Sequence, residues 1–518
     1  MSHKRTLSVA VLSVFLPLLS CQKQPDPAQQ PSPPPRIAWQ KAQIATDRID
    51  FPVRQRGLRP VRGLIHLHSA YSHDACDGNP QPGGQPNAPC LRSLRRGLCM
   101  SGQDFAMLTD HATHMGEADW DKLFLTDTSL SDEAIREGGD LVGGRMRCLD
   151  DAGKPIDQSV VLTVGGENEL MPVGLHRHLG DTEATRKQAM SAETPAAVKA
   201  FHDAKGLVLQ AHGESRDLTR MCTLAAAGLD GMEVYNLHAN LDPRIRENHL
   251  GLDGLAAFAG LAPWLEARPV EQGGPEPDLA LLGFLEDNSK ERSHYNALLG
   301  AGYRLAPTFG SDIHENTFKS AMADGERGDS YRRLMRWFAN YLLVPSGSSI
   351  LPSDLSTALA KGRGFSVFEV LGVPSGFDFY AERPDKTRAE LGDSVEPGAK
   401  LSVRAPSPLP TGYATDEVIE TLQVLFVAAG SSSAEVVREA KLTAAQLQQG
   451  VTLTVDTAAR GAGAYRVEAT VIPKHLLHLL GEDPSRYDKA YPYLFSGSIY
   501  VGTVARHGGA CQGVPLPS

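Results

Sequence analysis

Residues 63–75, GLIHLHSAYSHDA, place His66, His68, His73 and Asp74 within nine positions. Imidazole and carboxylate donors in one place suit zinc, manganese or iron. If GLIHLH is a strand, side chains alternate with period two, so His66 and His68 face the same side and can reach one ion. A carboxylate such as Glu167 can bridge two ions. Such a pair polarises a phosphoryl oxygen and lowers the pKa of a bound water to about 7, so that hydroxide is available at neutral pH. The chemistry indicated is metal-assisted hydrolysis.

The elements that must position these groups repeat one pattern, a short apolar run ending in metal-capable residues. DFAMLTDH ends in Asp110 and His111, SVVLTVGGENE in Glu167 and Glu169, and GLVLQAHGE in His212. GMEVYNLH contributes Asn236, and RLAPTFGSDIHE contributes Asp312 and His314. Helices are expected between several of these strands. One opens at Thr194 as N-cap with Pro195 in the first turn, and another runs from the Asp217 cap to Gly228. Strands alternating with helices imply a parallel sheet. In a parallel barrel all strand C-termini open on one face, which would bring the clusters to a single site. Random scatter of 17 histidines would not select strand ends so consistently.

In chain order the motifs read HxH, TDH, GxE, AH and SDxH. This ordered set resembles the polymerase and histidinol phosphatase (PHP) family of metal-dependent phosphoesterases over about residues 61–320. HLHSAYSHD is similar to its first motif, LTDH to its second and GGE to its third. RHLG is similar to the histidine that follows, QAH to the next motif and GSDIH to the last. The resemblance implies a distorted (β/α)7 barrel holding two or three divalent ions, zinc, manganese or iron. It implies His66, His68, Glu167 and Asp312 around one ion, and His111, His178, His212 and His314 around the others. Asp110 would hold His111 and, with His212, serve catalysis, while His176 would line the mouth. His73 stands where the family usually has aspartate, with Asp74 next to it, and imidazole can still ligate zinc there.

The remaining sequence sets the context. His3, Lys4 and Arg5 precede the apolar run LSVAVLSVFLPLL, which is too short to span a bilayer and has the form of a secretory signal. The following LLSC resembles a lipobox, implying lipidation of Cys21 and attachment to a bacterial cell envelope, with the outer membrane expected. Residues 22–50 then read as a Pro/Gln-rich tether. Six cysteines follow Cys21. In an oxidising compartment they read as disulfides or buried thiols ahead of a thiolate zinc site, with connectivity open. A net charge of -10 argues against nucleic-acid binding through a basic surface, and leaves a small phosphorylated substrate as the expected partner.

From about residue 376 the chain becomes a series of β-type runs, read as a β-sandwich that follows a hydrolase domain at 51–375. A chain ending near 375 is therefore expected to keep its ions. His475 and His478 in PKHLLHLL read as a core-facing or surface turn. Two rival functions remain: hydrolysis of a carboxylic ester, carbamate or amide, and a non-catalytic envelope binding protein. A cationic phosphate clamp would separate the first, with Arg92, Arg95, Arg96, Arg177 and Arg216 as candidates.

Overall fold

The computed structural model describes residues 49–502 and Cys511, apart from 151, 287, 348 and 409–418. Cys21, the signal segment and nearly all of the tether lie outside the described residues. No described helix is long and apolar enough to cross a membrane.

All six expected strand ends belong to strands of one large sheet in a mixed α/β body. In chain order the first-half strands are β1 (Leu58–Leu67), β2 (Phe105–Leu108), β3 (Glu133–Glu137), β4 (Asp140–Leu149), β5 (Pro155–Val164) and β6 (Leu170–Val173). They continue with β7 (Leu207–Gln210), β8 (Gly231–Asn236), β9 (Ala306–Ile313), β10 (Ala339–Pro345) and β11 (Gly364–Val367). β1 is central and pairs in parallel with both β2 and β9. β2 continues in parallel to β5, and β9 to β8 and then β7. The sheet is not purely parallel as expected, because β6 runs antiparallel to β7, β10 to β1, and the β3–β4 pair adds antiparallel strands beside β5.

Both predicted caps are present. Thr194 accepts from the Ala197 N–H at the start of the helix Pro195–Asp203, and Asp217 accepts from the Arg220 N–H at the start of Leu218–Ala227. Apolar residues that alternate along the strands, among them Ile65, Met107, Leu209 and Ala306, pack on one another, and the helix Pro352–Ala360 contributes Leu355 and Leu359 to that cluster. Burial of such surface, at about 25 cal/mol per Å², is the main force holding the strand ends in place. Gly63 lets β1 and β2 approach closely, since a Cβ there would sit 2.4 Å from the Phe105 ring.

The six cysteines form three disulfides, Cys76–Cys90, Cys99–Cys148 and Cys222–Cys511. The second half is rich in strands, as expected. The seam near residue 375, however, is crossed by backbone hydrogen bonds: β11 pairs antiparallel with the strand Tyr491–Ser496, so Phe365 to Val367 lie opposite Ser496 to Leu494. His475 is buried and its Nε2 lies 2.9 Å from the Leu371 carbonyl, a core-facing histidine.

Candidate metal centre

Four sets of ligand atoms, each lying within 4.8 Å of one another, gather where these strands end. They are His66, His68 and Asp312; His66, Glu167 and His212; His68, His111 and His314; and His73, Asp74 and His111. The sets share members, so they form one continuous cluster.

Irregularities in three neighbouring strands aim these side chains. β1 carries an extra residue, His66, between Ile65 and Leu67, which pair with the consecutive residues Met107 and Leu108 of β2. β9 in turn places Ser311 and Asp312 between the partners of Ile65 and Leu67. β8 bulges between Glu233 and Tyr235. Bulges of this kind redirect a side chain and bend the strand. The alternation that was expected to align His66 with His68 is therefore interrupted between them, yet their ring centroids lie 5.2 Å apart. Three cluster residues occupy the left-handed region, with φ of 74° at His66, 51° at His212 and 50° at Asp312. For non-glycine residues this costs about 1–3 kcal/mol each, a strain that persists where surrounding contacts over-determine it.

Five of the histidine rings turn Nδ1 toward an oxygen. His66 Nδ1 donates to Glu233 Oε1 at 2.6 Å, His111 Nδ1 faces Glu167 Oε2 at 2.8 Å, and His212 Nδ1 faces Glu214 Oε1 at 3.0 Å. His314 Nδ1 donates to the Asp312 carbonyl at 2.8 Å, and His68 Nδ1 is hydrogen-bonded to the Ser72 hydroxyl at 2.7 Å. With Nδ1 held by oxygen, the Nε2 lone pairs are left for another partner, as in metal-ligating histidines. Nε2 of His66, His68 and His314 is buried and makes no hydrogen bond.

Spacing supports the same fit. Donors about 2.0–2.1 Å from a tetrahedral zinc lie about 3.3–3.4 Å apart. Asp312 Oδ1 is 3.3 Å from His66 Nε2 and 3.2 Å from His68 Nε2. His212 Nε2 is 3.3 Å from Glu167 Oε1 and 3.4 Å from Asp312 Oδ2, and His314 Nε2 is 3.3 Å from Asp74 Oδ2. A nitrogen and oxygen donor set of this type fits zinc, manganese or iron.

The electrostatics are those of protons standing in for cations. Burial alone would depress His66, but the Glu233 and Asp312 carboxylates push it up to about 10. His111 is likewise pushed up to about 11 against burial, by Asp74 and Glu167. Burial and the neighbouring His314 ring drive His68 down to about 3, so it stays neutral. Against the effect of burial, facing imidazoles hold Asp312 well below the usual carboxylate range.

Not every expected residue joins the cluster. His178 does not: its Nε2 lies 2.9 Å from the Ala118 carbonyl and its ring packs edge-on to Trp120 at 5.1 Å. His176 pairs with Asp140 at 3.5 Å. Asp110 is buried, but it holds Ser69 rather than His111, accepting from the Ser69 N–H at 2.6 Å and its hydroxyl at 2.7 Å. Burial raises the Asp110 carboxyl to about 6. Asn236 is a cap, accepting from the Ala239 N–H, and its Nδ2 donates to Glu233. His73 is exposed beside His111, with ring centroids 5.0 Å apart.

Three participants escaped the sequence reading. Glu233 is buried in mid-strand, Glu214 lies behind His212, and His238 places Nδ1 3.0 Å from Asp312 Oδ2. A carboxylate inside the otherwise apolar run GMEVY was the available signal for Glu233.

No protein-family model matches the sequence, and no curated protein matches it. Among solved structures, the chain is similar to a two-domain protein containing a predicted PHP-like metal-dependent phosphoesterase from Bacteroides vulgatus. The two share 13% identity, with 88% of this chain and 98% of the other covered, at a TM-score of 0.33.

Proposed function

We propose that the chain is a metal-dependent hydrolase of phosphate esters, of the PHP type, built on a seven-stranded β/α barrel with a C-terminal β domain. The reading rests on one observation above all, the convergence of histidine Nε2 atoms whose Nδ1 atoms are held by oxygens. His66, His68, His111, His212, His314, Asp74, Glu167 and Asp312 would hold two or three ions, with His73 at the rim. When bound, such ions supply Lewis acidity and an activated water. The chain's own residues fix the geometry. Glu233 and Glu214 orient His66 and His212, and Asp312 meets imidazoles from three other strand ends, His66 and His68 at β1, His212 after β7 and His238 after β8. Asp110 positions the loop after β1 through Ser69. His238, with its side chain 49% exposed, would meet an incoming substrate at the rim.

Two of the arginines considered for a phosphate clamp are committed elsewhere. Arg95 pairs with Asp132, and Arg177 donates to the Asp203 carbonyl. Arg216 lies beside Glu169, two positions along from Glu167. That commitment favours keeping a second reading, hydrolysis of a carboxylic ester, carbamate or amide, since the same ions polarise a carbonyl. The test is metal analysis of purified protein followed by phosphomonoester, phosphodiester, carboxyl ester and carbamate substrates. Phosphoesterase activity that is lost with chelator and restored by zinc, manganese or iron is expected. Turnover of carbonyl substrates alone would select the second reading, and bound metal without turnover would select a binding protein.

We further propose attachment to the bacterial envelope through lipidated Cys21, supported by the LLSC motif. Cys21→Ser would release the protein from membranes, and a wild-type protein that fractionates as soluble would overturn this.

A further inference from the structure

A cavity of about 320 Å³ lies where the two halves of the chain meet, and none of the clustered histidines lines it. Small-molecule sites typically span about 300–1,000 Å³ and favour such seams. One wall is built by β8, β9 and the loop before the helix Ser289–Gly300, the other by the strands Ile419–Ala428, Gly463–Val471 and Tyr491–Ser496. Among the described residues five aromatic rings line it, those of Tyr235, Phe309, Phe368, Tyr493 and Phe495, and all are buried. Phe368 stands edge-on to Tyr235 with ring centroids 4.6 Å apart, and lies tilted by 31° against Phe309 at the same separation.

Much of the polar lining is committed. Tyr235 Oη donates to the Phe284 carbonyl and Tyr493 Oη to the Gly372 carbonyl. The Thr421 and Thr470 hydroxyls bond to each other at 2.8 Å. Glu286 pairs with Arg246, and Glu468 with Arg292. Asn288 differs. It is 3% exposed, its Oδ1 accepts from Asn240 Nδ2 at 3.1 Å, and its Nδ2 makes no hydrogen bond. Its orientation is fixed by its neighbours. Asn240 Nδ2 also donates to the Asn236 carbonyl at 3.0 Å, so Asn240 must turn its nitrogen this way and Asn288 must answer with oxygen. The Asn288 amide nitrogen is thereby left for another acceptor. A buried donor without a partner is costly, and an acceptor within the cavity would relieve that cost.

We propose that this cavity is a second ligand site, which takes a small uncharged aromatic molecule carrying a carbonyl oxygen, of the aromatic amide class. The ring of the ligand packs on Phe368, Phe309 and Tyr235, since aromatic rings gain from edge and offset contacts beyond the area they bury. Its carbonyl accepts from Asn288 Nδ2. Because the Glu286 and Glu468 carboxylates already face arginines, the ligand carries no charge. This site is independent of the hydrolytic reading, since it shares no residue with the histidine cluster.

Titration of the full chain with benzamide, followed by saturation-transfer NMR of the ligand, tests it. Toluene, which lacks the carbonyl, and cyclohexanecarboxamide, which lacks the aromatic ring, are the comparators. Benzamide should bind, with each comparator weaker by about two- to tenfold, the effect of losing one neutral hydrogen bond or one set of ring contacts. Asn288→Ala should weaken benzamide by a similar factor. Because that change also takes a partner from Asn240, Thr421→Phe serves as a second variant. It places a ring in the cavity from a partly exposed strand position and should abolish binding while the near-ultraviolet circular dichroism of the fold is kept. Absent benzamide binding would mean that water alone meets Asn288. That result, equal binding of toluene or of cyclohexanecarboxamide, or undiminished binding by either variant would each overturn the proposal.

Discussion

Glu233 and His66, 167 residues apart in sequence, share a buried hydrogen bond of 2.6 Å that fixes which imidazole nitrogen faces the cluster. A carboxylate behind a ligating histidine raises its basicity, and its loss typically costs about 10–100-fold in metal affinity. Glu233→Gln is expected to weaken zinc binding by that factor and also to lower the melting temperature of the metal-free protein, since the buried Glu233 carboxylate pairs there with His66. A competition titration against a chromophoric chelator reads it, and unchanged affinity would show that His66 needs no such partner.

Gly310 gives an independent check on the same contact. A Cβ at this position would fall 1.8 Å from Glu233 Oε1. Gly310→Ala should therefore push Glu233 off His66 and reproduce the metal defect of Glu233→Gln, with an added loss of stability. Wild-type metal content in Gly310→Ala would contradict the crowding argument.

His178 and His314 should part company. His314 stacks on His68 at 3.8 Å and turns Nε2 toward Asp74, whereas His178 is spent on the Ala118 carbonyl. His314→Ala is expected to lower bound metal by at least one ion per chain, and His178→Ala to leave it at the wild-type level, both measured by elemental analysis. A loss of metal in His178→Ala would restore the ligand role that its motif implied.

Metal uptake should release protons. In the metal-free fold His66 titrates near 10 and His111 near 11, because carboxylates favour their charged forms. At neutral pH an ion must displace those protons, so affinity should fall as pH falls and rise toward pH 10. Calorimetry in two buffers of different ionisation enthalpy would count the protons released. A zinc affinity that is flat between pH 6 and 9 would mean the rings are already neutral.

A chain ended near residue 375 should not fold to a metal-binding body. It would leave the buried β11 edge unpaired where Leu494 to Ser496 now lie, and would expose Phe365 and Val367. Near-ultraviolet circular dichroism and metal analysis of the truncated protein would decide, and retention of both signals would make the C-terminal strand dispensable.

What the sequence revealed and concealed follows one physical line. Local signals were legible: the apolar run before His66 and His68, the cap at Thr194, and the breaks after Asp110 and Asp312. Features defined by distant partners were not. Glu233 looks like an ordinary strand residue until His66 is beside it, and the extra residue in β1 exists only relative to β2. His178 matched a motif, but its loop carries it to Trp120. The change of composition after residue 375 was visible, while the pairing that crosses it joins residues more than 120 positions apart.

The placement of β1 bears on the order of assembly. This early strand is flanked by β9 and β10, which lie more than 200 residues further along the chain. Such non-local pairings form slowly, because closing long loops precedes the contacts that stabilise them. His66 and His68 therefore have no Asp312 to face until most of the polypeptide has been made. In small zinc domains the ion drives folding. Here the donor atoms are brought together only as the sheet completes, so cation capture would report a finished fold rather than nucleate it.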